Sequence, residues 1–245
     1  MHILDVIRGG AHDASLRGSP KLSPAMRSLS WRDAYINRPE FSMPLDGGRV
    51  LRIRQLSNGE VNGLGTGLTV WPAACVLLKY LEHRFGYLDD MRVLELGCGT
   101  GAVGLAAALL GASVVLTDQE QIQFLMHENA RINAAEGVHV CAYDWGSPLH
   151  GVLAAPFDLV LISDCILPKL YPIEPLVQAI MLLCRGSTKV LVSFEHRYFP
   201  LFDPKVRFWT LVSAAGLELR NVPLPEQHPS YNVDDIEIWE ISRPE

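Results

Sequence analysis

One segment constrains this chain more than any other: Val93-Leu94-Glu95-Leu96-Gly97-Cys98-Gly99-Thr100-Gly101. A short apolar run, 92–96, reads as a strand and leads into three glycines at alternate positions. Residues 102–110 then have helical composition and are closed by Gly111. Glycine at a strand–helix junction permits a tight turn and lets backbone approach a ligand closely. In an open α/β sheet such junctions lie at the carboxyl ends of strands, where ligands bind.

The rest of the chain repeats the alternation. Residues 113–117, 138–142, 157–163 and 189–194 are short apolar strands. Between them, 121–133 carries apolar residues near helical period, and Ile173, Leu176, Val177, Ile180 and Leu183 mark one face of a helix. A helix over 204–215 and strands at 218–222 and 236–241 follow. Nearly all-apolar strands interleaved with helices predict a parallel sheet covered on both faces. Upstream, Leu51 and Ile53 alternate with Arg52 and Arg54, the pattern of a half-buried strand. Asn58-Gly59 marks a turn, a Gly-rich stretch spans 62–67, and Pro72 opens a helix over 72–82. Residues 1–48 are rich in Ser and Pro and sustain no period. They read as a partly disordered arm with a short helix around 24–35, the alternative being a lid over a substrate. The expected division is therefore an arm, 1–48, and one α/β domain, 49–245.

Composition narrows the function classes. The 245 residues carry 27 Asp+Glu against 21 Lys+Arg, a net charge of −6, which is not the footprint of a dedicated nucleic-acid binder. Residues 49–245 hold 15 basic and 22 acidic side chains, so the acidic excess belongs to the α/β part. Five cysteines (75, 98, 141, 165 and 184) form no CxxC pair, and no HExxH occurs among the histidines. These features argue for a reducing compartment and against a metal site. No apolar run is long enough to span a membrane, and Asp5 and Gly9-Gly10 break any signal-peptide core. A cytoplasmic protein, also nuclear in the wider reading, is expected, with no membrane partner.

Two ligands compete for the glycine loop. Gly99-Thr100-Gly101-Ala102-Val103-Gly104 satisfies the dinucleotide pattern GxGxxG. Gly97, Gly99 and Gly101 also form GxGxG, with Glu95 two positions ahead. A pyrophosphate gains nothing from a nearby carboxylate, whereas the ammonium and sulfonium of S-adenosyl-L-methionine both do. Glu95 therefore favours the methyl donor. Asp118, at the end of the second strand, can accept hydrogen bonds from ribose hydroxyls in either nucleotide class.

Glu95-Leu96-Gly97-Cys98-Gly99-Thr100-Gly101 resembles motif I of the class I S-adenosylmethionine-dependent methyltransferases. Thr69-Val70-Trp71-Pro72-Ala73-Ala74, Ser163-Asp164-Cys165-Ile166 and Phe194-Glu195-His196-Arg197 resemble elements of the family-16, seven-strand protein-lysine methyltransferases. The tail from Val222 to Ile238 resembles a member that acts on an AAA-type chaperone ATPase. The likeness runs from Arg49 to Ile241. It implies an α/β, Rossmann-like, doubly wound seven-strand sheet with an N-terminal strand or hairpin extension. It also implies an enzyme that methylates a protein substrate, with an AAA-type ATPase as the candidate; a monomer is expected, and the acidic balance argues against nucleic acid. Methyl transfer to histidine, arginine or a small molecule, and a catalytically weak binding module, remain the alternatives.

By that resemblance, S-adenosyl-L-methionine is held by Trp71, Glu95, Gly97, Cys98, Gly99, Gly101 and Asp118. Trp145 lies beside the adenine and Ser163 near the reacting end. Asp164 ends an apolar strand beside the glycine loop and is the candidate catalytic residue. A carboxylate there holds the incoming ammonium and then the cationic product nitrogen. The family places an aromatic residue three positions after this acid, and here that position is Leu167. Tyr171 or Phe194 is left to supply the ring by cation–π attraction, and Glu195 to bind a basic substrate.

Overall fold

The computed structural model describes residues 38–56, 65–167 and 170–244. The expected helix around 24–35, the order of the arm up to residue 37 and the turn at Asn58-Gly59 lie outside the described residues.

Seven strands form one sheet: β3 (Arg92–Leu96), β4 (Ser113–Asp118), β5 (Val138–Ala142), β6 (Leu159–Ser163), β7 (Lys189–Glu195), β8 (Glu218–Val222) and β9 (Ile236–Ser242). Their order is β5-β4-β3-β6-β7-β9-β8. The first five run parallel, and β9 inserts antiparallel between β7 and β8. From β3 the chain winds outward to β4 and β5, then returns to the other side of β3 for β6 and β7. This reversal places the ligand crevice outside the carboxyl ends of β3 and β6. The sheet is the doubly wound one expected, mixed through β9 alone.

Apolar alternation assigns each strand residue to a face. Val93, Leu159, Leu161 and Leu191 enter one core, packed by α1 (Pro72–Phe85) and α2 (Ala102–Leu109). Leu94, Val160, Ile162, Val190 and Val192 enter the other, packed by α4 (Ile173–Leu183) and α5 (Pro204–Ala214). Helix α3 (Gln123–Ile132) starts later than its periodicity suggested, because Glu120–Ile122 forms a 3-10 turn first.

A second, two-stranded sheet pairs β1 (Glu40–Pro44) with β2 (Val50–Arg54). Strand β1 falls within the segment assigned to the arm, so the folded part begins before residue 49. Only Phe41 and Met43 point inward, too short an alternation to stand out from its Ser- and Pro-rich surroundings. They face Ile53 and Leu51 in register, and all four are buried against the first core. The free edge of β2 is covered by two asparagines one turn apart, Asn129 on α3 and Asn133 at its C-terminal cap. Asn133 Nδ2 donates to the Arg52 carbonyl, and its Oδ1 accepts from the Arg52 N–H. Asn129 does the same for Arg54 and also donates to the Thr100 carbonyl at 2.9 Å. The hairpin is thereby tied to the glycine loop. At its turn, Glu82 of α1 accepts from the Asp46 N–H, and buried Lys79 bonds both Glu82 (2.6 Å) and the Pro44 carbonyl (2.6 Å).

Candidate active site

The carboxyl ends of β3, β4 and β6 and the segment after β5 open onto one cavity of about 390 Å³. That volume is in the range of small-molecule sites. Segment 65–71, ahead of α1, also lines it.

The glycine loop is shaped by contacts that leave no room for side chains. Gly97 and Gly99 have φ of 60° and 54°, in the left-handed region. A Cβ on Gly99 would lie 2.3 Å from the Gly67 carbonyl oxygen, so the two loops touch backbone to backbone. A Cβ on Gly97 would lie 2.8 Å from the Trp145 ring and 2.9 Å from Cys165 Sγ. Gly101 caps α2 at φ 79° and packs on Leu116 and Leu105. It turns the chain rather than lining the cavity, which corrects its assignment to direct cofactor contact. Cys98 lines the cavity with its thiol 2.8 Å from Met126 Sδ.

Trp71, Glu95, Asp118, Trp145, Ser163, Asp164 and Tyr171 all line this cavity. Trp71 stands at the start of α1, with its indole N–H donating to the Thr66 carbonyl at 2.9 Å. Asp118 accepts from the N–H groups of Gly99 (2.8 Å) and Gln119 (2.7 Å), and burial raises its pKa against those bonds. Glu95 is fully buried and accepts from the Gly104 N–H at 2.7 Å. Desolvation pushes its pKa up to about 8. Without a neighbouring cation it is therefore largely protonated near neutrality, a refinement of the charge assigned to it from sequence. The edge of Tyr171 meets the Trp145 ring (6.1 Å, 63°), and its hydroxyl lies 2.5 Å from Thr66 Oγ1. Burial carries that phenol's pKa to about 12.

Two residues assigned to substrate lie elsewhere. Phe194 shares its face of β7 with Val190 and Val192, is 2% exposed, and stacks on Trp239 at 5.0 Å. It is core, because strand alternation points it away from the carboxyl-end crevice. Glu195 is turned to Arg197 and stops short of the cavity. Of the two rings assigned to the substrate, Tyr171 and not Phe194 thus lines the cavity. Asp164 has φ 55°, uncommon for a residue with a side chain, and such strain gathers at functional sites. Its N–H donates to the Ser193 carbonyl, which keeps it at the sheet end. Both its oxygens are bonded to Arg197.

The donor set discriminates between the two ligands. Among the described residues the lining contains four acidic side chains (Glu95, Asp118, Asp144 and Asp164) and no Lys, Arg or His. Among the described residues a pyrophosphate finds acidic side chains and no basic one, while a cationic nucleoside with an aromatic base finds those acids and the rings of Trp71, Trp145 and Tyr171. These residues fit S-adenosylmethionine.

Residues 51–211 match the lysine methyltransferase family. The chain belongs to that family. Protein N-lysine methyltransferase METTL21A of Danio rerio is 41% identical over 140 residues, 55% of this chain and 63% of that relative. The Mus musculus METTL21A is 32% identical over 173 residues, covering 67% and 77% of the two chains. EEF1A lysine methyltransferase 3 of Xenopus tropicalis is 33% identical over 183 residues, covering 74% and 78%. The alignment with the Danio rerio relative thus spans less than two thirds of that protein. Among solved structures, the T. thermophilus 16S rRNA N2 G1207 methyltransferase RsmC superposes with a TM-score of 0.57 at 18% identity, covering 84% of this chain and 50% of that one. The glycopeptide N-methyltransferase MtfA complexed with sinefungin gives 0.55 at 15%, covering 70% and 87%. These two establish the fold of this family member as that of the class I methyltransferases.

Sequence reasoning missed the contacts of Arg197, quoted only within the segment Phe194-Glu195-His196-Arg197, and of Asn129, which lies inside the stretch 121–133 read as a helix. Neither carries a local signal, since their partners are 33 and 75 residues away.

Proposed function

We propose that this chain transfers a methyl group from S-adenosyl-L-methionine to the side-chain amine of lysine in a protein substrate. The observation that carries the reading is one cavity that joins the glycine loop to Asp164, lined by acidic side chains and aromatic rings and by no basic side chain among the described residues. Bound S-adenosylmethionine supplies an electrophilic methyl group. Asp118 stands where it can receive a ribose, and Trp145 and Trp71 offer ring faces. Asp164 receives the lysine nitrogen and stabilises the positive charge that it carries after transfer. Tyr171 and Trp145 narrow the approach and exclude water. Family membership supports the lysine specificity.

For the substrate, the tail motif favours an AAA-type ATPase, met by a monomer in the cytoplasm or nucleus. Four of the five cysteines are buried and all are free, which supports a reducing compartment. Among relatives, one is named a histone-arginine methyltransferase, 38% identical over 110 residues, so the acceptor residue is itself a test. Calorimetry should show binding of S-adenosylmethionine, and silence at near-millimolar ligand rejects the reading. Incubation of a proteome with labelled cofactor, followed by residue-level mass spectrometry, should place label on lysine. Label on arginine or histidine instead rejects the lysine assignment.

A further inference from the structure

The inference concerns Arg197 and rests on the reading of the site just given. The chain leaves β7 through Glu195 and His196, and the Arg197 side chain folds back beneath Asp164. Its Nη1 donates to Asp164 Oδ1 at 2.8 Å and its Nη2 to Oδ2 at 2.5 Å, a two-pronged clasp. Nη2 also donates to Glu195 Oε2 at 3.0 Å. The side chains of Arg197, Asp164 and Glu195 are only 6%, 4% and 15% exposed. The lining of the cavity takes in Asp164 and stops short of the other two, so the guanidinium reaches the cavity only through Asp164.

Two carboxylates alone at this end of the cavity would bind a lysine as its ammonium and push its pKa above the ordinary value of about 10.4. The methyl acceptor must instead be the neutral amine. The guanidinium between the two carboxylates offsets part of their charge, while Asp164 still faces the cavity to draw in a cation. Its planar fork also fixes the direction of the Asp164 carboxylate. We propose that Arg197 is a positioning residue for the methyl-accepting amine, clasping Asp164 so that the carboxylate holds the lysine nitrogen in place without holding it protonated. The proton goes to solvent. The neighbouring titratable groups are otherwise engaged. His196 turns to Glu237 on β9 at 2.6 Å, and its N–H meets the Asp235 carbonyl. From the approach to α4, Tyr171 is bonded to Thr66. Cys165 packs under Gly97, and Asp118 on the far wall is held by backbone N–H groups.

The test uses the full chain, tritiated S-adenosylmethionine and a cofactor-depleted cell extract as acceptor. The initial labelling rate of one band is followed from about pH 6 to about pH 10, a range that reaches the ordinary lysine pKa. Arg197→Gln should move the midpoint of the rise to higher pH by about one unit, a roughly tenfold loss of rate at neutral pH. Arg197→Lys should recover part of that shift, and Glu195→Gln should move the midpoint the opposite way. S-adenosylhomocysteine affinity within about twofold of wild type certifies that each variant is folded. A uniform fall in rate with unmoved midpoints overturns the proposal. If Arg197→Gln fails to bind S-adenosylhomocysteine, the direction of the Glu195→Gln shift decides. Absence of label from the wild-type chain on every band overturns the methyltransferase reading itself.

Discussion

At the scale of single residues, Glu95 is the most informative side chain. Its pKa is about 8 in the folded chain against an ordinary 4.5, chiefly because burial penalises the carboxylate. Between those values the folded chain holds a proton that the unfolded chain has released, so stability falls as pH rises. The slope should approach about 1.4 kcal/mol per pH unit across that window and vanish above it. Urea unfolding at pH values inside and above the window should show this slope in the wild type. Glu95→Gln, which keeps an acceptor for the Gly104 N–H, should abolish it; an unchanged slope in the variant would place the titration elsewhere. Gly99 gives a second test. Its missing Cβ would meet the Gly67 carbonyl at 2.3 Å, backbone against backbone. Gly99→Ala should therefore part the two loops and weaken S-adenosylmethionine binding by at least about tenfold, on the order of 1.4 kcal/mol, as read by calorimetry. Both residues belong to a motif visible in one stretch of sequence, and that is why they were legible from it. Asp164 was legible too, as an acid at the end of an apolar strand. The clasp on it was not, because Arg197 approaches across two strand ends and its own neighbours suggest only a surface ion pair.

At the scale of elements, the hairpin β1–β2 shows where local pattern runs out. Strand β2 alternates visibly, but β1 offers two inward apolar residues amid prolines and serines and is recognisable only once β2 is beside it. The central strands β3, β4, β6 and β7, by contrast, are largely apolar and buried on both faces and bounded by turns, so their positions followed from composition within a residue or two. What holds the hairpin is long-range and polar. Asn129→Ala should leave the Arg54 N–H and the Arg54 and Thr100 carbonyls without their partner, a loss of about 2–3 kcal/mol by denaturant unfolding. Cofactor affinity should fall with it, because Thr100 belongs to the glycine loop; full affinity in a destabilised variant would show that the tie is structural only. Glu82→Ala should cost more, about 3–5 kcal/mol, since it leaves the Lys79 ammonium, with side-chain exposure of 7%, without its counter-charge.

Across the whole molecule, the division of labour follows the sheet. One half, β3 to β5, supplies the glycine loop, Asp118 and Trp145, and the other, β6 and β7, supplies Ser163, Asp164 and the residues behind it. The cavity exists only where the halves meet, so cofactor and acceptor ends are assembled by elements with little sequence in common. Strand β7 is held on its outer side by β9, in register from Val190↔Ile241 to Glu195↔Ile236, and β8 contacts the sheet only through β9. This order sets a timetable for synthesis on the ribosome. When β7 has emerged, some forty residues must still be translated before its partner exists. During that interval an apolar strand presents an open edge, the kind of surface that recruits other chains. Truncation ahead of Ile236 should fix the chain in that state: aggregation on expression, visible by size-exclusion chromatography, with Arg197 left on an unanchored strand end. A monomeric, cofactor-binding truncation would refute this. The half of the sheet that carries the acceptor end of the site is thus the last to become safe from its neighbours.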